Sequence, residues 1–173
     1  MSSPSSIFLI AVIPHISPMS SDRTIIPIMG KFAKSTQFWF KSTLFEIEPG
    51  EDKETNPRCY GKHLANWLRQ KLVEKGYAVE GVGPEDGGWY FYCTQKPFML
   101  WVRCVSVFDR KFGPVDLPPR GKDVTWTCIV DADLPFFARL FRRVDPTSAV
   151  EKLSTEVGAI LQAEQAIVLT ARP

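Results

Sequence analysis

Histidine is scarce in this chain: only His15 and His63 occur in its 173 residues. A Ser-His-Asp or Cys-His mechanism needs an imidazole that a third group orients. With so little histidine and no Gly-x-Ser-x-Gly segment, serine-type acyl transfer is excluded as a working hypothesis. The four cysteines, Cys59, Cys93, Cys104 and Cys128, include no C-x-x-C pair, so the usual half of a zinc or redox motif is missing. Gly81-Val82-Gly83 and Gly87-Gly88 do not fit either Gly-rich phosphate loop and no helix follows them, which makes them turn residues. An excess of one charge is also missing. The 21 Lys and Arg against 19 Asp and Glu leave a net of +2, which gives no electrostatic reason to expect nucleic acid or a membrane surface as partner. No apolar stretch approaches the roughly 20 residues of a bilayer span. The run from Ile7 to Ile13 is ended by Pro14 and His15.

What is present describes a folded domain. Apolar residues make up 45% and charged residues 23%, close to ordinary globular usage, so the bulk of the chain has the means to bury a core. Residues 1–34 stand apart. Pro4, Pro14, Pro18, Pro27 and five early serines suit a poorly ordered tail, and Met29 offers a second reading in which the start is misassigned. No Lys or Arg precedes the apolar run, so an export signal is the lesser reading. Residues 35–173 then form a single domain.

The aromatic and β-branched stretch 36–47 (TQFWFKSTLFEI) reads as a first strand. An acidic turn follows, and Asn56-Pro57 supplies a cap and a first-turn proline for a helix over 57–75. Its apolar face is Tyr60, Leu64, Trp67, Leu68, Leu72 and Val73, and Gly76 ends it. Strands are expected at 77–82, 89–94, 99–108 and 124–131, with a long loop at 109–123. Val124, Trp126, Cys128 and Val130 share one face of the last of these. A short helix at 134–143, a second main helix opened by Asp145-Pro146 and running to about 164, and an edge strand at 167–170 complete the order. The expected fold is α+β: a mostly antiparallel sheet of five or six strands, with two main helices packed on one face. Trp89-Tyr90-Phe91-Tyr92 must send two aromatics to each side of that sheet, so one side presents aromatics outward unless both sides are covered.

Candidate chemistry is sparse. Glu46, Glu48, Glu51, Asp52 and Glu54 crowd the route from the first strand to the first helix, and Glu85 and Asp86 occupy a second turn. Paired carboxylates serve acid–base work or hard cations, but the calcium-loop pattern is absent. A solvated acidic surface, partly suited to the positive end of the helix, is the plain reading, and a patch that meets a basic protein comes next, ahead of metal or catalysis. Cys59 and His63, four apart on the expected helix, supply at most half a metal site, so no metal and no cofactor are expected. Arg139, Arg142 and Arg143 among Phe136, Phe137, Leu140 and Phe141 form a basic amphipathic stretch that reads as a helix with one core face and one solvated face. Cysteines inside apolar strands read as buried free thiols, which fits a reducing, cytoplasmic location. A Cys93–Cys104 or Cys104–Cys128 disulfide is the alternative.

The segment Phe45-Glu46-Ile47-Glu48-Pro49-Gly50-Glu51-Asp52, followed by Asn56-Pro57, Tyr60-Gly61 and Leu64-Ala65-Trp67-Leu68, resembles a group of small bacterial proteins of unassigned function. Pro84-Glu85-Asp86-Gly87-Gly88-Trp89 is similar to that group's acidic, tryptophan-bearing turn. In general look, such standalone acidic-loop domains resemble toxin-neutralising immunity proteins, an analogy of architecture only. The expected function is a non-enzymatic protein-interaction domain, by that analogy of the immunity type, binding a basic partner through Glu48, Glu51, Asp52, Glu54, Glu85 and Asp86. The alternatives are a small-molecule-binding module with an aromatic-lined pocket under the 109–123 loop, and an enzyme using these carboxylates with or without a metal.

Overall fold

The computed structural model describes residues 35–107, 124–135 and 144–173. The expectations for the tail at 1–34, the loop at 109–123 and the basic stretch at 136–143 lie outside the described residues.

Six strands form one antiparallel sheet: β1 (Thr36–Ser42), β2 (Gly83–Glu85), β3 (Gly88–Thr94), β4 (Met99–Val107), β5 (Thr125–Asp133) and β6 (Ile167–Thr170). Their spatial order is β2-β3-β4-β5-β1-β6. Two main helices, α1 (Lys62–Glu74) and α2 (Thr147–Ala163), cover one face. Alternation puts Phe40, Trp89, Phe91, Leu100, Val102, Cys104, Trp126, Cys128 and Val130 under them, all buried. From α1 come Leu64, Ala65, Leu68 and Leu72, and from α2 Val150, Leu153, Val157, Ile160 and Leu161. Each such side chain contributes about 1.5–3 kcal/mol by leaving water, so this layer is the main source of stability. Phe45, in the chain leaving β1, is 2% exposed and meets Phe40, Trp67 and Trp126 edge-on at centroid distances of 5.4–6.2 Å, which fastens the acidic loop to the core.

Several boundaries differ from the sequence reading. β1 ends at Ser42, not at 47, because Ser42 is buried and its Oγ accepts the Leu44 amide, turning the chain. Helix α1 begins at Lys62 instead of 57. Asn56 opens a turn closed by the Cys59 amide, and Tyr60 is bound on both backbone groups by Ser106 of β4, its amide to Oγ at 3.1 Å and its carbonyl to the Ser106 amide at 2.7 Å. That anchoring to the sheet overrides the local Asn-Pro signal. Gly61 then passes over β4 with φ at 158°, and a Cβ there would stand 2.6 Å from the Cys104 carbonyl oxygen. Only glycine fits. On α1, Val73 is 45% exposed and lies outside the apolar face expected for it. Residues 77–82 form no strand. Instead Gly83–Glu85, expected as a turn, pairs with β3. Asp145 accepts the Thr147 amide at 2.9 Å, and hydrogen bonding from the Thr147 side chain, then from this amide, holds its carboxyl below the ordinary aspartate range. The Asp-Pro start of α2 thus stands as a cap from one residue further out than the expected one.

All four cysteines are free. Cys104 and Cys128 are directly opposed on β4 and β5, fully buried, with their sulfurs 3.7 Å apart. Cys93 is not a neighbour of Cys104, whose partner on β3 is Trp89. Among the described residues no helix is long and apolar enough to cross a membrane.

Candidate functional site

The acids of the first loop are largely engaged within the fold. Glu51 is 1% exposed. Its Oε1 accepts the amides of Gly61 at 2.5 Å and Lys62 at 2.8 Å, and its Oε2 accepts the Glu48 amide at 3.1 Å. It does from a distance what the Asn56 side chain was expected to do: it satisfies the free N–H groups at the start of α1 and places negative charge at the positive end of the helix dipole. It has no surface to offer a partner. Asp52 is half-buried and accepts the Tyr60 hydroxyl at 3.1 Å. Glu48 and Glu54 are exposed, but both pair with Lys62, at 3.1 and 3.3 Å. The same Lys62 Nζ lies 5.0 Å over the ring of Trp89. The Glu48 and Glu54 bonds push the Lys62 ammonium's pKa up. Of these acids, Glu48 and Glu54 are thus offset by a cation and Glu51 is out of a partner's reach.

The proposed Cys59–His63 pairing loses its premise, since Cys59 precedes α1. His63 is exposed, its Nδ1 accepts the Glu46 amide at 3.1 Å, and its ring meets Phe45 edge-on. Among the described residues there is no group of three or more His, Cys, Asp or Glu that could hold a metal ion.

The second acidic turn leads elsewhere. Pro84 and Trp89 are paired on the helix side of the sheet, so Glu85 points to the opposite side. There it accepts the Tyr92 hydroxyl at 2.8 Å. Asp86, next to it, is exposed at the turn. Along this helix-free face lie Tyr90 and Tyr92 of β3, Trp101 and Arg103 of β4, and Asp131 and Asp133 of β5, joined by the register pairs Tyr90–Arg103, Tyr92–Trp101 and Trp101–Asp131. The rings of Tyr90 and Trp101 are 5.4 Å apart. Arg103 lies 5.8 Å from the Tyr90 ring and donates to its hydroxyl at 3.2 Å. The Trp101 indole donates to Asp133 at 2.9 Å. Tyr90, Tyr92, Trp101 and Arg103 are each partly exposed, while Glu85 and Asp133 are exposed.

The result is an aromatic patch in which the polar tips of Tyr90, Tyr92 and Trp101 are each hydrogen-bonded. Such tethers fix rotamers before a partner arrives and so lower the ordering cost of binding. Its rim is acidic: among the described residues of this patch, Glu85, Asp131 and Asp133 stand against Arg103. The bond to Glu85, then burial, raises the Tyr92 phenol to about 12. Burial also pushes the Asp131 carboxyl up, its bond from the Ala132 amide opposing this in part. At the turn, a Cβ on Gly87 would stand 2.7 Å from an Arg103 Nη atom and 3.1 Å from the Tyr90 hydroxyl, so the glycine leaves room for this pair.

Of the six acids expected to face a partner, Glu85 alone is tied to this patch, with Asp86 beside it. Glu48, Asp52 and Glu54 surround the start of α1, and Glu51 lies beneath them. Sequence reasoning missed Arg103, Asp131 and Asp133. The signal was there in the alternation of MLWVRCVSV against WYFYCT, which sends Trp101, Arg103, Tyr90 and Tyr92 to one side. Comparison with protein-family models, with curated proteins and with solved structures finds no match to this chain.

Proposed function

We propose that this chain is a non-enzymatic protein-interaction domain that holds a basic partner on the helix-free face of its sheet. The observation that carries the reading is the tethered cluster of Tyr90, Trp101 and Arg103 inside a rim of Glu85, Asp131 and Asp133. Tyrosine, tryptophan and arginine are the residue types that dominate binding energy at protein interfaces, and they do so where they are pre-packed at the centre of a patch. Three carboxylates against one guanidinium favour a cationic partner and repel an acidic one. Toxin neutralisation of the immunity type is the specific form that this charge sign supports, with the acidic rim set against a cationic surface of the toxin.

The test uses the full chain as bait in native lysate, with three variants run beside it. W101A removes the centre of the patch and D133K reverses its rim. E48K/E54K alters the other acidic loop and leaves the patch intact. The reading expects one stoichiometric basic partner, lost with W101A and weakened by D133K, and kept by E48K/E54K. Binding of that purified partner should also weaken with added salt. A partner lost only with E48K/E54K would move the site to the α1 loop. A partner that survives all three variants, each folded by circular dichroism, would overturn both placements.

A further inference from the structure

We infer that Trp101 is the seat of an arginine side chain of the partner, whose guanidinium lies on the indole between the tyrosines of β3 and the aspartates of β5; this rests on the reading of the face as a docking surface for a basic partner. Trp101 stands where two unlike halves of the face meet. Tyr92 is directly opposite it on β3 and Asp131 directly opposite it on β5. The Tyr90 ring is 5.4 Å away, and Asp133 Oδ2 accepts the indole N–H at 2.9 Å. Opposed side chains of an antiparallel pair have Cβ atoms about 5 Å apart, so a group lying on Trp101 reaches aromatic rings on one side and carboxylate oxygens on the other. The indole N–H is already engaged by Asp133, and Trp101 is partly exposed, so what it offers a ligand is its ring.

The carboxylate half is short of a cation. Among the described residues neither Asp131 nor Asp133 forms an ion pair. Asp131 is half-buried, and burial pushes its carboxyl up, with the Asp133 charge adding to this and the Ala132 amide opposing it. Two like charges on one face of a strand, two residues or about 7 Å apart, both gain from a cation set between them. At the other end of the aromatic row the fold supplies such a cation itself. Arg103 lies 5.8 Å from the Tyr90 ring and donates to its hydroxyl at 3.2 Å. The Trp101 end repeats the ring and the acceptor without the guanidinium. The form of the seat selects among cations. A guanidinium is planar, so it stacks on a ring while its N–H groups point outward in the plane, toward carboxylates. A lysine ammonium is a compact, strongly hydrated point charge that cannot do both. A quaternary ammonium would use the rings and has no N–H to give the aspartates.

Proton–nitrogen NMR of the full chain reads the seat directly, with the Trp101 indole N–H identified by its loss in W101F. The probe is N-acetyl-arginine amide, beside its lysine and citrulline analogues, up to about 50 mM, since one cation–π contact with a pair of charged hydrogen bonds gives affinity in the millimolar range. The arginine probe should shift the Trp101 resonance to saturation. The lysine probe should bind about threefold more weakly or worse, and the uncharged citrulline probe should leave the resonance in place. D131N/D133N keeps the side-chain shapes and an acceptor for the indole, and should weaken the arginine probe about tenfold. E48Q/E54Q should not change its binding. The seat is overturned by the absence of a saturable shift, by citrulline binding as arginine does, or by full-strength binding to D131N/D133N. The lysate experiment separates this inference from the reading beneath it. A partner that needs Trp101 but is released no more readily by the arginine probe than by sodium chloride of equal strength keeps the docking surface and overturns the arginine seat. A saturable arginine site beside a partner indifferent to W101A keeps the seat and sinks the docking surface.

Discussion

Replacing Glu51 should destabilise the domain more than replacing any other acid of its loop. The side chain is 1% exposed and accepts three backbone amides, from Gly61, Lys62 and Glu48. In E51A all three donors lose their acceptor in a site where the Gly61 amide is out of reach of water. A buried donor left unpaired costs about 1–3 kcal/mol, and the three partners here are not independent, so about 3–5 kcal/mol is expected in total. For a chain of this size that is a fall in Tm of about 10 °C. E51Q keeps the shape and one oxygen. Its nitrogen would meet the Glu48 amide, donor against donor, and about 2 kcal/mol should be lost. E54Q is the control, because Glu54 makes only an exposed ion pair to Lys62, and such pairs contribute about 0–1 kcal/mol. Urea unfolding followed by tryptophan fluorescence reads all three variants, since Trp89 and Trp126 are buried in the core. Equal losses in E51A and E54Q, or a loss under about 1 kcal/mol in E51A, would refute the argument that this carboxylate organises the start of α1.

Three further outcomes are expected. In an ultraviolet titration of the tyrosines, Tyr92 should ionise near 12, and E85Q should return it toward 10. Because the folded-state value is raised, the Tyr92–Glu85 bond contributes fully below pH 10 and is lost as pH climbs through 12, so the stability that E85Q costs should be largest below pH 10 and shrink as pH rises through 12. Asp131 is raised in the same sense but acts in the acid range: its ionised form is a cost to folding, relieved as pH falls through its folded-state value. The stability of D131N relative to wild type should therefore be greatest at neutral pH and shrink on acidification, measured by denaturation at several pH values. A thiol reagent should be consumed slowly by the native chain, since burial raises Cys59, lifts Cys93 to about 12 and holds Cys104 well above its ordinary value. Cys104 and Cys128 should react only on unfolding, and prompt labelling of four thiols would contradict the buried placement of this pair.

The layer pattern was legible because it is written in alternation. Val124, Trp126, Cys128 and Val130 do share the buried face of β5, and Val150, Leu153, Val157, Ile160 and Leu161 are all buried on α2. The aromatics of 89–92 divide between the two sides as the pleat requires, Trp89 and Phe91 inward, Tyr90 and Tyr92 outward. What failed were the boundaries set by partners far away in the chain. Asn56-Pro57 is a sound local signal, yet the helix waits until Lys62 because Ser106, 46 residues on from Tyr60, binds that tyrosine first. No local rule contains that contact.

The same reasoning explains why counting acids gave a poor map of the candidate surface. A carboxylate close in sequence to a helix start has two uses, to face a partner or to satisfy the helix's own amides, and composition does not separate them. In the 48–54 loop the second use prevails. Glu51 is consumed by three amides, Asp52 by Tyr60, and the rest by Lys62, whose ammonium also sits over Trp89. On the sheet, by contrast, Glu85 and Asp133 keep a solvent-exposed carboxylate while each holds one aromatic tip. Lys62 offsets the charge of the two exposed loop acids, Glu48 and Glu54, whereas Glu85 and Asp133 are exposed and bond only a neutral phenol and indole.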